Sequence, residues 1–245
     1  VLVRLPRRQA GADLVAHEHR WLPALAERLP LPVPAPIRIG APSAGYPWAW
    51  SICPFVPGDV AADAPPDDLR REAVRLGDFL AALHVEAPPD APRNPVRGHP
   101  VAELDERFHH NVERLGDLVD TASLRARWHD LSGVDEWHGP ALWFHGDLHT
   151  ANLIVHRGEV AAVIDFGDMA GGDRAVDLAI AWMLFDAADR DRFRAAAGAV
   201  RPVDDATWRR AQLWGLHFAV LYVLHSADSA RFERMGRRLL DALLR

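Results

Sequence analysis

Asp147, Asn152 and Asp165 are the residues of this chain whose types and spacing best suit chemistry. They stand in Phe144-His145-Gly146-Asp147-Leu148-His149-Thr150-Ala151-Asn152 and in Val163-Ile164-Asp165-Phe166-Gly167. The Asn follows the first Asp by five residues, and the second Asp follows the Asn by thirteen. A carboxylate such as Asp147 can orient a hydroxyl or take its proton. A second carboxylate and an amide carbonyl are hard oxygen donors of the kind Mg2+ prefers, while it keeps phosphate oxygens as partners. Asp165 and Asn152 supply that pair. Between them Leu153-Ile154-Val155 is an apolar run, Arg157-Gly158-Glu159 is turn-like, and Val160 to Ile164 is a second apolar run. That pattern predicts a hairpin, which would return Asp165 beside Asn152 so that both reach one metal. The set suits phosphoryl transfer, where a protein mainly positions groups and neutralises spread negative charge.

The same segment admits other readings. A lone His-x-Asp or Asp-Phe-Gly usually marks a turn or a capped element, and only the combination at these spacings is specific. Alternation in an extended segment would put His145, Asp147 and His149 on one side, as metal ligands of a hydrolase. No second His/Asp cluster of similar density accompanies them in the sequence.

His145-Gly-Asp-Leu-His-x-x-Asn, Val163-Ile-Asp-Phe-Gly-Asp and Gly172-Asp-Arg-Ala-Val-Asp-Leu-Ala together resemble the aminoglycoside phosphotransferase family of small-molecule kinases. The first two also resemble the catalytic and metal-binding loops of protein kinases. Gly146 stands where protein kinases carry Arg, as is usual in the small-molecule family. The resemblance implies an α+β, bilobal, protein-kinase-like fold with a small sheet-containing lobe and a larger helical lobe. It makes Asp147 the catalytic residue, and Asn152 and Asp165 the metal ligands. It places His149 where protein kinases carry a Lys near the transferred phosphate. Asp177 resembles the acid that opens a helix and braces the catalytic loop through its backbone; a first-turn carboxylate favoured by the helix dipole is the plainer alternative. His145 is expected to be a packed structural histidine.

The resemblance reaches the first half of the chain more weakly. Val1-Leu-Val-Arg-Leu looks like the third strand of the small lobe. Arg4 then takes the place of the Lys that touches the nucleotide phosphates, a change to a larger, planar cation. Glu18 is its acidic partner on the next helix. Trp48 to Gly58 resembles the connection between lobes, with Cys53 lining the back of the adenine pocket. The Pro54 carbonyl and the Val56 N–H would then meet the adenine edge, and Val56, unlike Pro54 and Pro57, has an N–H to give. The implied lobes are residues 1–57 and 58–245. The Gly-rich loop that covers the phosphates would precede Val1, so the chain reads as a piece of a longer protein. A piece without that lid is expected to bind nucleotide poorly, with residues 1–56 less protected from exchange than the large lobe.

The implied cofactors are ATP, with GTP as the alternative, and Mg2+. The implied reaction moves the γ-phosphoryl group to a hydroxyl of a small molecule, with an aminoglycoside-type antibiotic as the leading acceptor. A choline-, homoserine- or fructosamine-like metabolic kinase and a catalytically silent kinase-like binding protein are the alternatives. Asp186, Asp189, Asp228 and Glu233 could meet amines of a cationic acceptor, and solvated helix faces are the simpler reading.

Composition agrees with a globular protein. The 245 residues are 49% hydrophobic and 25% charged, with a net charge of -6. That balance argues against a general nucleic-acid binder. No apolar run is long enough to span a bilayer, and no signal-peptide pattern is present, so neither a membrane nor a nucleic acid is an expected partner. The single cysteine, Cys53, fits a reducing cytoplasm. Nothing in the sequence sets an oligomeric state.

Leu22, Leu25, Ala26 and Leu29 mark one face of an early helix, and the prolines that follow to Pro36 read as a rigid spacer. Strands are expected near 37–40 and 47–53, a helix over 67–86, and a loop over 87–100. Helices are expected through much of 101–133 and near 174–186, 189–199, 205–226 and 230–244. Trp182, Trp208 and Trp214 fall on those later helices and are expected to pack.

Overall fold

The computed structural model describes residues 1–245. The chain begins with β1 (Leu2–Arg4), α1 (Gln9–Ala26), β2 (Arg38–Gly40) and β3 (Trp50–Cys53). These strands form an antiparallel sheet of order β1-β3-β2, with Arg4 opposite Ser51 and Leu2 opposite Cys53. Helix α1 turns Val15, Glu18, Leu22 and Leu25 inward, spacings of three and four residues that share one helix face. It ends at Ala26, so Leu29 lies beyond it. The proline-rich stretch after it is anchored rather than a free spacer: Leu31 and Val33 are buried, and Pro32 O accepts from Val163 N at 3.0 Å.

Residues 54–58 connect this sheet to a larger, mainly helical part. There β4 (Asp59–Val60), β6 (Leu153–His156) and β7 (Glu159–Val163) form a second antiparallel sheet of order β4-β6-β7. β5 (Leu142–Phe144) pairs with β8 (Ala170–Gly172). Neither β4, β5 nor β8 is legible in the sequence, because two or three residues are too few to show an alternation.

The helices are α2 (Leu69–Leu83), α3 (Val101–Leu115), α4 (Thr121–Ser132), α5 (Ala175–Leu178), α6 (Ile180–Leu184), α7 (Ala187–Ala197), α8 (Asp205–Leu224) and α9 (Ala230–Leu243). Five begin on a side-chain cap, from Asp68, Asp120, Asp186, Asp204 and Ser229, each accepting from a backbone N–H three residues on. Helix α8 is buried nearly all round and packs against α3, α4, α5 and α9. The helix expected over 174–186 is two short ones. Asp177 N bonds Arg174 O and Trp182 N bonds Ala179 O, a three-residue spacing that tightens the turns and interrupts the regular ladder. Trp182 and Trp214 are buried, and Trp208 packs on Trp182 with ring centroids 4.5 Å apart. No helix is long and apolar enough to cross a membrane.

Candidate active site

The segment 145–152 runs from the end of β5 into β6. Gly146 has φ 85°, and a Cβ there would stand 2.6 Å from Asp168 O. Only glycine fits that left-handed turn against a backbone carbonyl. The turn is held by Asp177, which is wholly buried. Its Oδ2 accepts from His145 N at 2.7 Å and its Oδ1 from Gly146 N at 2.9 Å. His84 Nε2 stands 3.1 Å from Oδ2. Burial pushes His84 below its usual pKa against the pull of Asp177, so the neutral ring donates from Nε2. The bracing role implied for Asp177 therefore appears as two backbone hydrogen bonds, and His84 joins them from the end of α2 without any motif to announce it.

His145 is structural. Its Nε2 meets Ile164 O at 2.9 Å, its Nδ1 accepts from Asp147 N at 3.2 Å, and its ring packs on Phe166. With both nitrogens engaged inside the fold, the His145–Asp147–His149 metal triad of the hydrolase alternative is not formed.

Asp147 Oδ2 lies 3.4 Å from His149 Nε2, and Asp147 Oδ1 lies 3.6 Å from Arg97 Nη2. Burial alone would raise its pKa, but the hydrogen bond and charge of His149, then Arg97 and His145, outweigh burial and bring it to about 2. Asp147 is therefore an anion throughout the neutral range. His149 Nδ1 accepts from Ala151 N at 3.2 Å, which leaves its Nε2 facing Asp147. The His149 ring also meets the edges of Tyr222 and Phe232. Burial raises the Tyr222 hydroxyl well above its usual pKa, and the Asp147 charge adds to this.

The expected hairpin is present. β6 and β7 pair through Arg157 and Gly158, both at positive φ (53° and 78°), the signature of a tight two-residue turn. At its open end Ile164 N donates to Asn152 O at 2.9 Å, which sets Asp165 next to Asn152 along the backbone. Asn152 Nδ2 donates to Asp147 O at 2.9 Å, so its Oδ1 is the atom left to accept or ligate. Asp165 holds φ 66° and ψ 65°, a left-handed conformation Asp tolerates better than most residues, and its carboxylate is largely exposed. An anionic carboxylate and an amide oxygen form a hard donor set that fits Mg2+.

Asp165 also closes one end of a cleft of about 280 Å3 between the two sheets. Arg4 stands at that end, its Nη2 3.9 Å from Asp165 Oδ1. Pro54, Phe55 and Val56 form one wall, and Leu2, Ile154, Ala162 and Ile164 give it an apolar lining. Arg4, Pro54, Val56 and Asp165, named from distant parts of the sequence, thus share one cleft. Glu18 does not line it. It lies beneath, buried, and pairs with Arg4. His149 does not line it either and sits beside Asp147 instead. Cys53 is 1% exposed and does not itself line the cleft, although it stands opposite Leu2, which does. Paired residues of an antiparallel sheet share a face, so Cys53 and Ser51 lie on the same side of the sheet as Leu2 and Arg4, buried behind these lining residues.

Burial raises the Glu18 pKa from 4.5 to about 7, although Arg4 pulls the other way. Between those values the unfolded chain gives up its proton before the folded one does, so rising pH costs stability there, and the cost levels off above pH 7. A group moved that far carries about 3 kcal/mol. Glu18→Gln is expected to remove this component, seen as a flatter pH dependence of the urea unfolding midpoint. A wild type and variant that differ by the same amount at every pH would show that Glu18 ionises normally.

Fold and site together define a kinase-like protein with an apolar-lined cleft beside a braced acidic loop. The chain belongs to the phosphotransferase enzyme family (APH), whose model matches residues 1–214. Aminoglycoside 3'-phosphotransferases of Escherichia coli and Salmonella typhimurium are each 26% identical over 140 residues, 55% of this chain and 52% of theirs. The match thus spans about half the length of these curated relatives. Among solved structures, the GDP complex of aminoglycoside 2'-phosphotransferase-IIIa superposes with TM-score 0.66 at 22% identity, over 98% of this chain and 85% of that one. Macrolide 2'-phosphotransferase MphH from Brachybacterium faecium gives 0.59 at 24% identity, over 97% and 83%. At these identities the two structures show the shared fold.

Proposed function

We propose that this chain transfers the γ-phosphoryl group of ATP, with GTP as the alternative donor, to a hydroxyl of a small molecule. The observation that carries this reading is the convergence of Arg4, Asp165 and the Pro54–Val56 wall on one cleft, with Asp147 and Asn152 joined by a hydrogen bond next to it. The apolar lining takes a flat base, with Pro54 O and Val56 N at its edge. Arg4, held by Glu18, faces the phosphates. Asp165 and Asn152 would hold Mg2+, which would supply positive charge to neutralise the phosphates. Asp147 accepts a hydrogen bond from the acceptor hydroxyl and aims its oxygen at the phosphorus. With a pKa of about 2 it is a weak base, so the proton moves to it late, once the new P–O bond has made the hydroxyl acidic. His149 Nε2 supports Asp147 and lies on the side of the transferred group. The lobe division at residues 57 and 58 belongs to this proposal, with the cleft formed between the two parts. A reducing, ATP-supplied cytoplasm is the setting the lone buried cysteine favours.

The relatives' names put aminoglycoside and macrolide antibiotics first among acceptors to be screened for nucleotide consumption. The metal reading has its own test. Asp165→Ala is expected to weaken Mg2+-dependent nucleotide binding by roughly tenfold or more, since even supporting ligand partners are worth ten- to hundredfold. Asn152→Ala, which removes a neutral donor, should cost less. Calorimetric titration of Mg-nucleotide reads both, and affinities equal to wild type in both variants would remove the metal assignment.

A further inference from the structure

Arg97 occupies the other side of Asp147. It lies in the loop between α2 and α3, stacked over the Phe218 ring of α8 with its Cζ 5.0 Å from the centroid. Its side chain is 16% exposed. A guanidinium carries five N–H donors in a rigid fork. This one donates no hydrogen bond within the chain: the 3.6 Å separation from Asp147 Oδ1 is too long for one, and Nε is buried without a partner. A mostly buried cation with its donors unused is costly unless something else fills them.

Arg97 also lines a polar cavity of about 430 Å3 beside β8 and the start of α3. The charged groups of this cavity can be followed one by one. Asp173 pairs with Arg210 at 2.7 Å and accepts from Ala175 N at 3.0 Å. Glu136 accepts from Val101 N and Ala102 N, at 3.0 and 3.2 Å, and so caps α3. Glu103 holds His99 Nδ1 at 2.8 Å, and His99 Nε2 meets Asn94 O at 2.8 Å. Every carboxylate of the cavity is committed to the fold. The two charged side chains left without a hydrogen-bonded partner, Arg93 and Arg97, are both cations. Of the acids that might have met substrate amines, Asp186 caps α7, Asp189 pairs with Arg192 and Glu233 with Arg237, while Asp228 is exposed and lies outside this cavity.

Resting on the reading of Asp147 as the group that orients the acceptor hydroxyl, we propose that the acceptor carries an anionic group, a carboxylate or a phosphate ester, and that Arg97 binds it. The guanidinium fork matches both anions bidentately. Arg97 also offsets the repulsion such an anion would feel from Asp147. A polycation placed here would face two cations that have no hydrogen-bonded partner, a penalty that discriminates against it.

The test measures binding by calorimetry, independently of turnover. The probes are gluconate (a hydroxylated carboxylate), ribose 5-phosphate, uncharged ribose and polycationic kanamycin. Arg97→Gln is expected to weaken binding of at least one anionic probe by roughly ten- to hundredfold, the worth of a hydrogen bond to a charged group. Arg97→Lys should restore part of it. Arg93→Gln, at an exposed position, should give a smaller loss. Which anionic probe responds distinguishes a carboxylate from a phosphate acceptor. Arg4→Gln is the control, because it removes binding only if the anion sits on the nucleotide side. The proposal is overturned if neither anion binds better than ribose, if Arg97→Gln leaves anion binding unchanged, or if Arg4→Gln alone abolishes it. It is likewise overturned if kanamycin binds more tightly than both anions. Anion binding through Arg97 with no nucleotide consumed would instead sink the phosphotransferase reading and leave the anion site standing.

Discussion

Asp147→Ala is expected to lower phosphoryl transfer by roughly 100- to 10,000-fold, the usual contribution of a positioned general base. Nucleotide affinity should stay nearly unchanged, because Asp147 lies outside the cleft that Arg4, Val56 and Asp165 line. The substitution removes only a side chain. The loop is held through its backbone, by Asp177 on His145 and Gly146 and by Asn152 on Asp147 O, and those bonds remain. Asp147→Asn separates shape from charge: it keeps an acceptor oxygen but cannot take the proton. Because the Asp147 pKa lies near about 2, the rate should show no limb in the neutral range from this group. The check is kcat and nucleotide affinity measured on the same preparations. Wild-type turnover in Asp147→Ala would move hydroxyl orientation to another group, with His149 the nearest.

Asp177→Ala is expected to destabilise the protein by about 3 kcal/mol or more, because each of three buried donors left without a partner costs roughly 1–3 kcal/mol. The carboxylate is fully buried and serves His145 N, Gly146 N and His84 Nε2. Its removal leaves two backbone donors and an imidazole N–H without partners in a space that water does not reach. It also frees the turn at Gly146 that aims Asp147. Turnover should therefore fall even at temperatures where the variant is folded. Urea unfolding gives the first quantity, and turnover well below the unfolding midpoint gives the second. A loss of stability within the range of an ordinary surface substitution would mean that the catalytic loop is held elsewhere.

Much of the site was legible because it is local. The hairpin between Asn152 and Asp165 follows from two apolar runs and a turn at Arg157-Gly158, so the two metal-side residues are brought together by a few residues of chain. The glycine at 146 could be read as a family feature, and the close approach of Asp168 O supplies its cause. Arg4 and Glu18 were named through resemblance alone, and their pairing needed α1 to pack beneath β1. Other features had no local signature. His84 reaches Asp177 across 93 residues, and Arg97 stands in a loop of prolines and glycines with no periodicity around it. Cys53 was assigned to the back of the cleft from its place before the connection; pairing with Leu2 puts it on that face, and burial keeps it out of the lining. The break between α5 and α6 came from tightened turns that side-chain spacing does not encode.

Residue types and their local order by themselves determined which groups could hold a metal and orient a hydroxyl, because a carboxylate, an amide and a short hairpin carry that chemistry wherever the chain folds. Tertiary structure alone decided which charges remain free around them. Asp173, Glu136 and Glu103 are anions in the sequence like any others, and only the packing of α3, α8 and β8 spends them on Arg210, on a helix end and on His99. The same packing leaves Arg97 beside Asp147 with its donors unused. Pairing depends on distance and burial between residues far apart in the chain, and so the sign of the charge offered to a ligand is a property of the fold rather than of the composition.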